Sequence, residues 1–66
     1  MKKRSVSIMG HRTSVSLEAE FWAELKDLAD KEGLSLNGLV ARIDKNRVGN
    51  LSSALRLYVL SSLKKP

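Results

Sequence analysis

The 66-residue chain contains no cysteine, which excludes a disulfide framework and any thiolate metal site. Its one histidine, His11, has no second imidazole to help it hold a metal, so neither a metal nor any other cofactor is expected. Long apolar runs are also missing. Nothing approaches the ~20 residues of a membrane span, and the basic opening Lys2-Lys3-Arg4 leads into Ser-Val-Ser-Ile-Met-Gly-His-Arg, which is too polar for the apolar region of a signal peptide. A cytoplasmic protein without a membrane partner is the expectation. Catalytic constellations are absent as well: there is no paired-carboxylate site, no Ser-His-Asp set around the lone histidine and no Gly-rich phosphate loop, so no catalytic residue and no enzyme activity are expected.

What is present is one short domain. A chain of this length buries only about 60% of the surface its unfolded form exposes, and below roughly 70–80 residues a fold usually draws extra stability from disulfides, metal or a partner subunit. With the first two excluded, oligomerisation remains. The net charge of +5 is unevenly spread. Residues 1–17 carry Lys2, Lys3, Arg4 and Arg12 and no acid, residues 18–32 carry six acids against Lys26 and Lys31, and residues 33–66 carry six bases against Asp44. A basic segment beside an acidic helix implies one surface that meets a polyanion and another that does not; lysines kept for solubility are the plain alternative.

Residues 1–11 read as a basic extension with a strand-like piece, and 12–17 as a strand. Val6 and Ile8 stand at even positions, whereas Thr13, Val15 and Leu17 stand at odd ones, so an unbroken strand would place the two sets on opposite faces. A bulge or bend at Met9-Gly10 would change the register. Residues 18–32 predict a helix, with Phe21, Trp22, Leu25, Leu28 and Ala29 on one stripe, acids in its first turn, Lys31 in its last and Gly33 as a left-handed terminator. Trp22 is read as core. A second helix, 35–47, begins at the capping residue Ser35 and carries Leu36, Leu39, Val40 and Ile43 at helical spacing. A third, 50–64, starts at Asn50 and is apolar on so many sides that it implies two buried contacts, either core and subunit seam or core alone.

The stretch Arg12-Thr13-Ser14-Val15-Ser16-Leu17 is the most informative. Thr13, Val15 and Leu17 point inward, while Arg12, Ser14 and Ser16 offer hydrogen-bonding groups outward. The chain shows no second strong strand to pair with it, so pairing with the same strand of another copy is expected. The resulting two-stranded ribbon would fit the major groove of B-DNA.

Strand, helix, Gly-x-Ser and helix in this order resemble the ribbon-helix-helix (Arc/MetJ-type) repressors. The resemblance rests on Val15-Ser16-Leu17-Glu18 at the entry to the first helix, on Leu25 and Leu28-Ala29, and on the turn Gly33-Leu34-Ser35-Leu36-Asn37. With Gly10-His11-Arg12-Thr13-Ser14 before these and Gly49-Asn50-Leu51-Ser52-Ser53-Ala54-Leu55-Arg56 after them, the longer pattern is similar to a bacterial subgroup of short ribbon-helix-helix domain proteins. The chain departs from the family in its eleven residues ahead of the strand and in having Gly38 where an acid often stands.

The resemblance implies a mainly α fold with a short N-terminal β-ribbon, an intertwined dimer with intermolecular antiparallel strands, plus an additional C-terminal helix. It implies base contacts from Arg12, Ser14 and Ser16. Phosphate contacts would come from Ser35, Leu36 and Asn37 at the second helix N-terminus, while Lys2, Lys3 and Arg4, in the extension that departs from the family, would be either a phosphate-contacting arm or a solvated tail. A dimer core would form from Val15, Leu17, Phe21, Leu25, Leu28, Leu39, Val40 and Ile43. The expected partners are double-stranded DNA and a second copy, as homodimer or higher homo-oligomer, and the expected role is sequence-specific transcription regulation, as a repressor. The alternative is a homo-oligomerisation or protein-interaction module on the same fold that does not read DNA sequence.

Overall fold

The computed structural model describes residues 1–46 and 49–64; the expected end of the second helix, at 47, lies outside them. Two strands, β1 (Lys2–Ile8) and β2 (His11–Leu17), are followed by helices α1 (Ala19–Lys31), α2 (Leu36–Asn46) and α3 (Leu51–Leu63). A mainly helical chain with a short N-terminal ribbon and an additional C-terminal helix is therefore what the structure shows.

The strand pairing differs from the expectation. β2 is matched within its own chain by β1, antiparallel, from Lys2↔Leu17 to Ile8↔His11. Met9-Gly10 is a two-residue hairpin turn rather than a bulge: Met9 has φ 51° and Gly10 φ 82°, the positive pair whose twist suits a tight hairpin. This turn sets even residues of β1 opposite odd residues of β2, so Val6 and Val15 come to lie on one face, both buried. β1 is the strand-like piece expected in the basic extension, and it is held by tertiary contacts. The Trp22 indole Nε1 donates to the Lys2 carbonyl at 2.9 Å, and the Asn37 amide accepts from Ser7 N–H at 2.7 Å and donates to the Ser7 carbonyl at 2.9 Å.

The three helices close over the inner face of this hairpin. α1 begins at Glu18, an extended residue with no side-chain cap, and ends in a paired-carbonyl stop at Gly33 (φ 70°). There Leu34 N–H reaches Ala29 O at 2.8 Å and Gly33 N–H reaches Asp30 O at 3.1 Å, the arrangement a left-handed glycine permits. Ser35 Oγ then accepts from Gly38 N–H at 2.9 Å, capping α2. A Cβ on residue 38 would stand 3.1 Å from that oxygen, so the glycine leaves the cap room. Asn50 Oδ1 accepts from Ser53 N–H at 2.8 Å and starts α3 in the same way.

The core gathers side chains from all five elements. Leu17, Leu25, Leu39, Val40 and Leu55 are 0% exposed, and Val6, Val15, Trp22, Ala29, Ile43 and Val59 are also buried. Phe21 and Leu28 pack partly buried against them. Of the residues expected in a dimer core, Val15, Leu17, Leu25, Leu39, Val40 and Ile43 are buried within the one chain, and Phe21 and Leu28 are partly buried. Burying one such Leu side chain stabilises by about 1.5–3 kcal/mol, and β1 and α3 add to this core the apolar residues Val6, Leu55 and Val59.

Candidate nucleic-acid interface

Because directly opposed residues of an antiparallel pair share a face, the hairpin sorts its side chains cleanly. Lys2, Arg4, Val6 and Ile8 lie on the core side with Leu17, Val15, Thr13 and His11. The opposite face carries Lys3 across from Ser16, Ser5 across from Ser14, and Ser7 across from Arg12. Those six residues comprise two cations and four hydroxyls, with no acid and no large apolar group. All are exposed except Ser16, which is half-buried.

Arg12, Ser14 and Ser16 therefore stand in one row on one face. The hairpin adds a second row, Lys3, Ser5 and Ser7, that sequence reasoning did not assign in full. The signal was available: a two-residue turn at Met9-Gly10 obliges odd residues of β1 to face even residues of β2. The basic extension is split by the same alternation. Lys3 joins Arg12, whereas Lys2 and Arg4 lie on the other side, and the Arg4 guanidinium sits 5.7 Å from the Trp22 ring centroid, within cation–π range.

The start of α2 adjoins this face. Asn37, held in the first turn of α2, grips Ser7 on the outer edge of β1, so the two groups of expected contact residues meet at the Ser7–Asn37 clasp. The amides of Leu36 and Asn37 have no acceptor among the described residues, as first-turn amides ordinarily do not. They leave the positive end of the helix open beside the ribbon. Ser35 Oγ is occupied as acceptor by Gly38 N–H.

Two other basic side chains, Arg42 and Arg56, are committed to ion pairs. Arg42 is ion-paired with Glu32, whose second oxygen accepts from Tyr58 OH at 2.6 Å; that bond is the main cause holding the Tyr58 hydroxyl above its ordinary pKa. Arg56 Nε lies 3.1 Å from Glu18 Oε1 and its guanidinium 5.9 Å from the Phe21 ring. The Glu18 carboxyl is held below its usual range by a hydrogen bond to its own backbone and then by Arg56. Lys3 and Arg12, by contrast, form no ion pair among the described residues. Lys3 and Arg12 thus stand unpaired on the polar face, as among the described residues Lys2 does on the other face.

Among the described residues no group of three His, Cys, Asp or Glu side chains could hold a metal ion, and no helix is long and apolar enough to cross a membrane. A two-stranded ribbon leading into a helix pair joined by a glycine-stopped, serine-capped turn defines a ribbon-helix-helix class of small domain. The chain belongs to the ribbon-helix-helix domain family, whose model matches residues 1–63 and so takes in β1 and α3 as well as the strand and helix pair between them. Domains of this family are in general DNA-binding regulators and not enzymes. No curated protein and no solved structure matches the chain.

Proposed function

We propose that this protein binds double-stranded DNA as a homodimer and regulates transcription, as a repressor in the bacterial cytoplasm, with the polar face of the hairpin directed into the major groove. The observation that carries the reading is the composition of that face: Lys3, Ser5, Ser7, Arg12, Ser14 and Ser16 on one side of a two-stranded ribbon, the width of element the major groove admits. Arg12 is the principal base reader, because a guanidinium can bond both acceptors of one guanine, whereas Ser14 and Ser16 contact several bases and discriminate less. Lys3 and the first-turn amides of Leu36 and Asn37, with Ser35 fixing that turn, hold phosphates, as free amides and the helix dipole favour an anion. Lys2 and Arg4, on the flank, add to the positive field rather than to base reading.

The test begins with duplexes selected from a random library. Arg12→Ala is expected to cost about 1–3 kcal/mol of discrimination at one base position, and Lys3→Ala to weaken all duplexes alike and reduce the salt slope by roughly one. A folded Arg12→Ala protein that binds its preferred duplex as tightly as the parent would refute the base-reading role. A second reading, a homo-oligomerisation module, is favoured by one feature, the exposed Leu57, Leu60 and Leu63 of α3. A stable assembly larger than a dimer that selects no duplex would support it over the first.

A further inference from the structure

The helical layer carries a surface whose chemistry is the reverse of the ribbon's. Where α1 and α3 pack together they leave a groove lined by Glu20, Phe21 and Glu24 from α1 and by Val59, Leu60 and Leu63 from α3. Val59 is buried and Phe21 half-buried, but Leu60 and Leu63 stand 45% and 62% exposed. At about 260 Å³ the groove falls short of the ~300–1,000 Å³ that pockets for small molecules enclose. It suits a row of apolar side chains on a partner's surface better than a free ligand.

Charge decides which partner. Glu20 and Glu24 are the only charged lining residues among the described ones, and they stand one helical turn apart, where like charges repel. Neither forms an ion pair among the described residues. Arg56, whose guanidinium lies 5.9 Å from the Phe21 ring, is paired with Glu18 and offers them no relief. In a chain of net charge +5, two unpaired carboxylates beside exposed leucines repel a nucleic-acid backbone or an anionic lipid surface and attract a cation with an apolar flank. A second copy is disfavoured by the same pair. A two-fold contact centred on the groove sets the patch against itself, which brings four carboxylates to one seam with no lining cation to offset them.

We propose that the groove between α1 and α3 docks a cationic amphipathic helix of a partner protein, its apolar stripe against Phe21, Leu60 and Leu63 and its basic flank against Glu20 and Glu24. A helix laid along such a groove presents apolar anchors at i, i+3 or i+4, and i+7. Basic residues one turn apart on its α1 side share the spacing of the two carboxylates and meet both. The leucines supply affinity, and the carboxylates select the charge of what binds. No lining residue lies on the hairpin, so this docking is independent of DNA binding and is measured without DNA.

Three labelled peptides of roughly 15 residues are the probes: one with a leucine stripe at helical spacing flanked by lysines, the same peptide with glutamates for the lysines, and the lysine peptide with its leucines scattered. Fluorescence anisotropy with the intact chain is expected to show the first bound at least about tenfold more tightly than either counterpart. Glu24→Lys is expected to weaken the lysine peptide at least about fivefold. Glu24 is chosen over Glu20, which stands in the first turn of α1, where an acid supports the helix. Asp30→Lys makes the same charge change about 9 Å further along α1. It should leave binding within about twofold at physiological salt, where charges are screened over ~8 Å. A lysine peptide that binds no more tightly than its counterparts overturns the proposal. So does a loss in Asp30→Lys as large as that in Glu24→Lys, which would reduce the effect to overall charge. A parent chain that prefers none of the peptides but self-associates, and loses that association in Leu60→Ser, overturns it too by assigning the groove to a second copy.

Discussion

Removing the Asn37 amide should loosen β1 without unfolding the helices. In Asn37→Ala both bonds to Ser7, at 2.7 and 2.9 Å, are lost. Each is a neutral hydrogen bond worth roughly 0.5–1.5 kcal/mol net, and their exposure favours the lower half, so the pair contributes about 1–2 kcal/mol. A domain of this length holds only ~3–10 kcal/mol in total, and a melting midpoint in this size range moves by about 4–8 °C per kcal/mol. The expected drop is therefore roughly 4–16 °C at a fixed protein concentration. Hydrogen exchange should localise the loss: the Ser7 amide, which Asn37 now holds, loses protection, whereas Val6, whose groups face β2, keeps most of its own. Asn37→Asp retains the acceptor for Ser7 N–H, forfeits the donor to Ser7 O, and places a carboxylate in the first turn of α2, where the helix dipole returns about 0.3–1 kcal/mol. Its midpoint should fall between those of the parent and Asn37→Ala. An alanine variant that melts within a degree of the parent, with Ser7 still protected, would show that the clasp does not hold β1.

Two further perturbations test the turn and the α1–α3 tie. Met9 has φ 51°, a region non-glycine residues enter at a cost and asparagine enters readily; Met9→Asn creates an Asn-Gly turn and should stabilise by about 0.5–1 kcal/mol, read as a higher midpoint. Glu18 is held below its ordinary pKa by its own backbone and by Arg56, so its contribution is present above the unfolded-state pKa and disappears as pH falls through the lower folded-state value. The midpoint difference between the parent and Glu18→Gln should therefore be open at neutral pH and close on acidification; a gap that persists in strong acid contradicts the linkage.

The ribbon and the three helices were legible because their signals are local. Gly33, Ser35 and Asn50 mark helix ends by backbone geometry and first-turn hydrogen bonds, and the structure realises each. The parity switch between Val6 and Val15 was legible too, and it pointed at Met9-Gly10. What it did not reveal was a complete reversal of the chain. Lys2-Lys3-Arg4-Ser5 has little intrinsic strand preference, and β1 is held by Trp22 and Asn37, 20 and 30 residues away. Contacts at such separations leave no periodic trace. The same blind spot hid the second row of the polar face, since Ser5 and Ser7 acquire a position only once β1 is known to pair with β2. Asn37 was read for its backbone amide, and its side chain proved to be the clasp.

The apolar residues of this chain close a core in one copy, and the polar face of its ribbon takes no part in that core. Leu17 is fully buried, yet its neighbour Ser16 is half-exposed and Arg12 and Ser14 are exposed, so the strand gives one face to the core and leaves the other open. Truncating the outer row removes no fully buried side chain and no side-chain hydrogen bond among the described residues, and surface changes of that kind usually stay within about 0.5 kcal/mol. Arg12→Ala, Ser14→Ala and Ser16→Ala should each unfold in urea within that margin of the parent, with an unchanged dependence on denaturant. A loss of 2 kcal/mol or more in any of them would place that side chain in a stabilising contact instead of on a free face, and duplex-binding measurements on it would then report folding and not recognition. If all three stay within the margin, any change in duplex preference belongs to the side chain removed.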